Sequence, residues 1–159
     1  MSNIILCGFK SCGKTTLGKK LAERLGRHFI DTDSLISSNC RAFYLQEGEE
    51  AFRAMEKQVI AALVEFQNCV IATGGGTILD QENIAILKKL GTIFYLRVEK
   101  EELRRRITDD PPAFLQDESF DEMYESRKLV YEEIADGIIT PENIHSWDMN
   151  TDSRVLGML

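Results

Sequence analysis

The stretch Gly8-Phe9-Lys10-Ser11-Cys12-Gly13-Lys14-Thr15 fits the spacing G-x-x-x-x-G-K-[ST], and its surroundings limit what the chain can become. Before it, Asn3-Ile-Ile-Leu-Cys7 is a short apolar run of the kind a buried parallel strand shows. After it, Thr15 to Leu25 reads as a helix, with Leu17, Leu21 and Leu25 on one face and Gly26 as its stop signal. Strand, glycine loop and helix together form an anion trap. The glycines let backbone N–H groups turn inward, and the helix N-terminus adds partial positive charge. In such a loop Lys14 reaches the β- and γ-phosphates of a bound nucleoside triphosphate, and the Thr15 hydroxyl ligates Mg²⁺. Lys10, Ser11, Cys12, Gly13, Lys14, Thr15 and Thr16 are therefore the nucleotide-binding candidates.

At 159 residues the chain is expected to form one domain around one core. A net charge of −7, with Arg104-Arg105-Arg106 as the single basic cluster, argues against nucleic acid as a partner. Cys7, Cys12, Cys40 and Cys69 show no paired metal spacing. Cys7 and Cys69 fall in expected buried strands, which suits free thiols in a reducing cytoplasm. Met1-Ser2-Asn3 lacks the basic start of a signal peptide, and no run approaches membrane-spanning length.

Further along, Arg27 to Thr32 reads as a second strand delivering Asp31 and Asp33, two residues apart on an extended segment and so facing the same way. Ser34 to Cys40 reads as a short helix. Glu49 to Phe66 reads as a longer one, with Phe52, Met55, Val59, Leu63 and Phe66 on its inner stripe. Cys69 to Thr73 is a third strand running into Gly74-Gly75-Gly76, and Asp80 to Leu90 a helix. Thr92 to Val98 is a fourth strand and Glu99 to Ile107 a charged helix. The stretch 108–118, with Pro111-Pro112 and adjacent aspartates, reads as a loop. Ser119-Phe-Asp-Glu122 is a capping box opening a helix to about Ala135, and Gly137 to Thr140 a last strand. Strands alternating with helices predict an α/β fold: a parallel sheet with helices on both faces and ligands at the strands' carboxyl ends.

A phosphoryl acceptor would have to be held by residues at those ends. The candidates are Asp31, Asp33, Arg53, Gly74 to Gly76, and Arg127. Each has a plainer reading. Asp33 could simply cap the next helix, and Arg53 could simply pair with Glu56, three residues on. Three glycines exceed what a turn needs, however, and suggest a backbone approaching a ligand closely.

Taken in order, these residues resemble the shikimate kinase family. The resemblance covers roughly Asn3 to Thr140: the glycine loop, Asp31-Thr-Asp33, Gly48-Glu49 with Phe52-Arg53 and Glu56, Gly74-Gly75-Gly76, and Arg127 with Tyr131-Glu-Glu-Ile-Ala-Asp136. It implies a three-layer α/β/α P-loop kinase fold with a five-stranded parallel sheet. It also implies transfer of the ATP γ-phosphate to the 3-hydroxyl of shikimate, a step of aromatic amino-acid (chorismate) biosynthesis. Lys14 and Asp33 become the catalytic residues, with Asp33 also binding substrate hydroxyls. Arg53 and Arg127 clamp the substrate carboxylate beside the glycine triplet. Arg106 packs on adenine, Thr15 binds Mg²⁺ directly, and Asp31 supports that ion through water. The partners implied are ATP and shikimate, with a cytoplasmic monomer as the expected state. Two departures stand out. The lid at about 108–118 carries Pro111 where the family usually has arginine and is shorter than usual. The tail after Pro141 lacks a clear closing helix. A different small-molecule kinase of the same fold, or a nucleotide-binding module without turnover, are the competing readings.

Overall fold

The computed structural model describes residues 2–107 and 119–142. The expected lid and the tail lie outside the described residues. Five strands, β1 (Asn3–Cys7), β2 (His28–Asp31), β3 (Cys69–Ala72), β4 (Gly91–Leu96) and β5 (Gly137–Ile139), form one parallel sheet in the order β2-β3-β1-β4-β5.

Every residue of the central strand β1 is buried, because helices cover both faces and there is no solvent side to make polar. The alternation of its side chains splits the interior in two. Ile4 and Leu6 pack with Leu17, Leu21, Phe94 and Met123. Ile5 and Cys7 pack with Ile60, Leu63, Ile71, Leu87 and Tyr131. Cys7, Cys12, Cys40 and Cys69 are free thiols.

The helices are α1 (Lys14–Leu25), α2 (Thr32–Ile36), α3 (Cys40–Glu47), α4 (Glu49–Ala62), α5 (Gln81–Leu90), α6 (Lys100–Ile107) and α7 (Phe120–Ile134). Leu17 and Leu21 bury the face of α1 and Leu25 packs at its margin, as the spacing predicts. Gly26 closes α1 in the left-handed conformation. The Ser119 hydroxyl accepts from the Glu122 amide at the start of α7, half of a capping box.

Three expectations are corrected. First, Asp31 and Asp33 do not share an extended segment. β2 ends at Asp31, which caps α2 through its side chain, and Asp33 lies in the first helical turn. The capping role weighed for Asp33 thus belongs to Asp31. Second, the segment after α2 is not one short helix to Cys40. A break at Ser37 is followed by α3, whose side chains are nowhere fully buried, so its sequence carries little periodic signal. Third, the inner stripe of α4 is Phe52, Glu56, Ile60 and then Leu63. The helix tightens into a 3₁₀ turn at Leu63–Glu65, and Phe66 leaves it extended and 42% exposed.

Register places the site. Leu6 stands opposite Ala72 on one side and Phe94 on the other, so the loops after β1 and β3 emerge side by side. Thr73 ties them together, donating from both its amide and its hydroxyl to the Leu6 carbonyl at 3.0 and 3.1 Å. The helices that follow, α1 and α5, belong to opposite cores. The crevice opens where the connections diverge.

Candidate active site

A cavity of about 780 Å³ lies at the carboxyl ends of β1, β2 and β3. One wall is the glycine loop. Gly8 has φ +152°, and a Cβ there would lie 2.8 Å from both Cys12 Sγ and the Leu96 carbonyl oxygen. Gly13 at φ +104° and Ser11 at φ +68° complete the left-handed turns that bend the loop into the start of α1. Lys14, 9% exposed, is drawn across its own loop, donating to the carbonyls of Gly8 at 2.7 Å and Phe9 at 2.9 Å. Its ammonium already sits where the loop curls. A phosphate would exchange neutral carbonyl partners for charged oxygens, the stronger contact.

Lys10, Ser11, Gly13, Lys14, Thr15 and Thr16 all line the cavity. Cys12 is different: its amide donates to the Phe9 carbonyl at 3.2 Å and its side chain is 5% exposed. The structure therefore brings Cys12 to the inside of the loop rather than to the cavity.

Thr15 Oγ1 donates to Asp31 Oδ2 at 3.1 Å, while Asp31 Oδ1 accepts from the Asp33 amide at 3.0 Å. The capping bond holds the Asp31 carboxylate beside the threonine. Asp33 is built differently. Burial, with the neighbouring Asp31 carboxylate second, pushes its carboxyl up to about 6, against the pull of Lys14. Its Oδ1 is buried and makes no hydrogen bond.

Arg53 donates from Nη1 to Glu56 Oε1 at 2.8 Å, so the pairing expected from their spacing is present. It is also part of something larger. Glu56, 1% exposed, accepts from the Thr77 hydroxyl at 2.9 Å through its other oxygen. The Asn83 amide group in turn donates to the Thr77 carbonyl at 3.1 Å. This chain fixes the plane of the Arg53 guanidinium, whose Nε is buried and makes no hydrogen bond.

The glycine triplet makes room for these groups. None of Gly74, Gly75 and Gly76 has a positive φ. What they lack is a Cβ. One on Gly74 would lie 2.6 Å from Asp33 Oδ1, and one on Gly76 would lie 2.4 Å from Arg53 Nη2. A Cβ on Gly75 would come within 3.2 Å of the Lys10 amide and 3.6 Å of Arg127 Nη1. Arg127, on α7, is 4% exposed and stands over the Phe9 ring at 5.6 Å. The triplet thus lies against all three groups; Asp33 and Arg53 line the cavity with it, whereas Arg127 sits behind Gly75 and is not among the lining residues.

Of the three consecutive arginines, Arg106 reaches the loop, donating to the Ser11 carbonyl at 3.1 Å and to Glu102 at 2.9 Å. Arg104 instead bonds Asp121 and stands 5.4 Å over Phe120, and Arg105 pairs with Glu102. Sequence reasoning gave no role to Thr77, or to the α3 residues Cys40 and Tyr44 that wall the cavity. The available signal for the last two was their i,i+4 spacing beside the aspartates.

A family model described as shikimate kinase matches residues 10–151. The chain belongs to the shikimate kinase family. A shikimate kinase of Syntrophus aciditrophicus is 37% identical over 163 residues, covering 89% of this chain and 84% of its own. One of Caldicellulosiruptor saccharolyticus is 42% identical over 114 residues, covering 69% of this chain. That match spans 66% of the relative's length. The solved shikimate kinase of Acinetobacter baumannii, in complex with shikimate, superposes with a TM-score of 0.78 at 34% identity, over 87% of this chain and 83% of that one. The five-stranded parallel sheet is that of the shikimate kinase family.

Proposed function

We propose that this chain transfers the γ-phosphoryl group of ATP to the 3-hydroxyl of shikimate. The observation that carries the reading is the triplet floor. Two arginines from different helices and an aspartate with a buried, unpaired oxygen each lie against one of its glycines, beside a loop built for phosphate. A small ring bearing one carboxylate and several hydroxyls complements that set: planar guanidinium forks suit a carboxylate, and Asp33 Oδ1 accepts from a hydroxyl.

Lys14 and the loop amides hold the phosphates, with Arg106 beside the loop for the adenine. Arg53 and Arg127 take the carboxylate and so aim the ring at the γ-phosphate. Asp33 receives the proton of the 3-hydroxyl as that oxygen bonds to phosphorus and the bond to the ADP oxygen breaks. A carboxyl near 6 is ionised at neutral pH yet basic enough for that transfer.

The residues present also fit Mg²⁺. Among the described residues no group of three or more His, Cys, Asp or Glu could hold a metal ion. Mg²⁺ needs no such cage, since it binds through one or two protein oxygens, water and substrate phosphates. Thr15 and Asp31, already paired at 3.1 Å, would hold it, Asp31 through water. There the ion would neutralise charge between the β- and γ-phosphates.

The reading includes a cytoplasmic monomer, one domain, and a lid at 108–118. Among the described residues no helix is long and apolar enough to cross a membrane. Calorimetry with shikimate alone and then with MgATP, followed by a coupled ADP-release assay over hydroxy acids and nucleoside monophosphates, tests it. Turnover with shikimate alone among the panel supports the proposal. Turnover with another acceptor, or binding without turnover, overturns it.

A further inference from the structure

Resting on that reading, we infer that Tyr131 is a positioning residue for the acceptor site, acting by fixing the peptide between Gly75 and Gly76. The starting point is what the triplet lacks. Its glycines are required for space and not for a left-handed turn, and they bring no side chain to hold their own peptides in place. A Gly–Gly peptide can rotate at little steric cost. The Gly74 amide is held by Thr32 Oγ1 at 3.2 Å, and the Gly74 and Gly76 carbonyls by the Thr77 and Leu79 amides at 3.2 and 3.0 Å, but none of these bonds ties the peptide between Gly75 and Gly76.

Tyr131 supplies the missing constraint. Its hydroxyl donates to the Gly75 carbonyl. The residue is 1% exposed and stacks on Tyr95 at a centroid distance of 5.0 Å, with the rings 24° apart, so the donor is itself held. Burial raises its pKa well above the ordinary phenol value; Arg127 pulls the other way and Cys7, Cys12 and Tyr95 add to the rise, so the hydroxyl stays a donor.

A trans peptide is planar, with its C=O and N–H pointing in opposite directions. There are no cis bonds among the described residues. With the Gly75 carbonyl directed into the core at Tyr131, the Gly76 N–H is directed away from it, toward the cavity that Gly76 lines. The Arg53 guanidinium packs against Gly76, where a Cβ would lie 2.4 Å from its Nη2. Tyr131 also lies four residues after Arg127 on α7, hence on the same side of that helix. One helix therefore sets both a side-chain donor and a backbone donor for the acceptor's anionic group.

Tyr131→Phe keeps the ring, its burial and its stacking and removes only the hydroxyl. The KM for shikimate should rise roughly five- to tenfold, the change one net hydrogen bond carries, while the KM for ATP stays within about twofold. In the ligand-free variant the Gly76 amide should exchange with deuterium faster or broaden in the ¹H–¹⁵N spectrum. A variant with unchanged shikimate KM and only a lower melting temperature overturns the positioning role. Should the variant not fold, the wild-type protein still decides. Shikimate must then slow exchange of the Gly76 amide, and absence of that protection overturns the inference. The two proposals separate cleanly: wild-type protein that neither binds nor phosphorylates shikimate refutes the function, whereas a Gly76 amide indifferent to Tyr131→Phe refutes the lock.

Discussion

Asp33 is where stability and chemistry pull in opposite directions, and Asp33→Asn measures both. Its carboxyl rises from an ordinary 3.8 to about 6, chiefly through burial and then through Asp31. The folded state therefore holds this proton more tightly than the unfolded chain does. The contribution is fully present below pH 4, declines as pH rises from about 4 to about 6, and is gone above that. A rise of roughly two units corresponds to about 3 kcal/mol. Water at the open side of the cavity reduces this, so about 2 kcal/mol is the working figure. At pH 8 the asparagine variant, which has no charge to bury, should be more stable than wild type by that amount, or by about 4–8 °C in Tm. The gap should close toward pH 4.

The assay is urea unfolding of both ligand-free proteins between pH 4 and pH 8, read as the difference at each pH so that other carboxylates cancel. In turnover the order reverses. An asparagine cannot take the 3-hydroxyl proton, so kcat should fall by about 10²–10⁴. The wild-type loss of kcat/KM below about pH 6 should be missing from the residual rate. A stability gap that is constant with pH, or a variant less stable at pH 8, would refute the idea that burial raises the Asp33 carboxyl at the expense of stability.

Lys14→Met should lower kcat by about 10²–10³ in steady-state assays while circular dichroism stays unchanged, since one preorganised electrostatic contact is lost. Arg53→Ala and Arg127→Ala should each raise the shikimate KM by more than tenfold, as loss of a charge-assisted bond worth roughly 1.5–3 kcal/mol implies. Arg53→Ala should also lower Tm, because Glu56, 1% exposed, is left buried without its cation. Gly76→Ala, which puts a methyl 2.4 Å from Arg53 Nη2, should mimic Arg53→Ala in shikimate calorimetry, with MgATP affinity retained. Arg106→Ala should raise the ATP KM and leave that for shikimate alone.

The sheet and the loop were legible because their signals are local. An apolar run, a glycine spacing and a leucine stripe each report one element, and β1 and α1 stand where those signals put them. The Arg53–Glu56 pair was legible for the same reason, three residues apart on one helix. Asp31 and Asp33 were misread because a strand ending and a helix beginning look alike over two polar residues. Only the backbone shows which carboxylate caps. Glu56 was read beside Arg53 on the inward face; what stayed out of sight is that the Thr77 hydroxyl also satisfies it. Thr77 is 21 residues away, beyond any periodic pattern. The contact of Tyr131 with Gly75 spans 56 residues and is likewise invisible before the chain folds.

The buried polar atoms without partners beside the cavity, Asp33 Oδ1 and Arg53 Nε, point to the ligand's chemistry. A fold selected for stability alone would satisfy Asp33 Oδ1 and Arg53 Nε, since a buried polar atom without a partner is costly. Here both are buried without a hydrogen bond, Asp33 Oδ1 against Gly74 and Arg53 with its guanidinium against Gly76. One is an acceptor and the other a donor. A ligand that offers only phosphates brings no hydroxyl donor to the aspartate. A ligand with hydroxyls alone would bring no negative charge to the two guanidiniums. A hydroxy acid completes both halves, which is why the acceptor's chemistry can be argued from these groups, and why shikimate should stabilise the folded protein by mass action even with no nucleotide present.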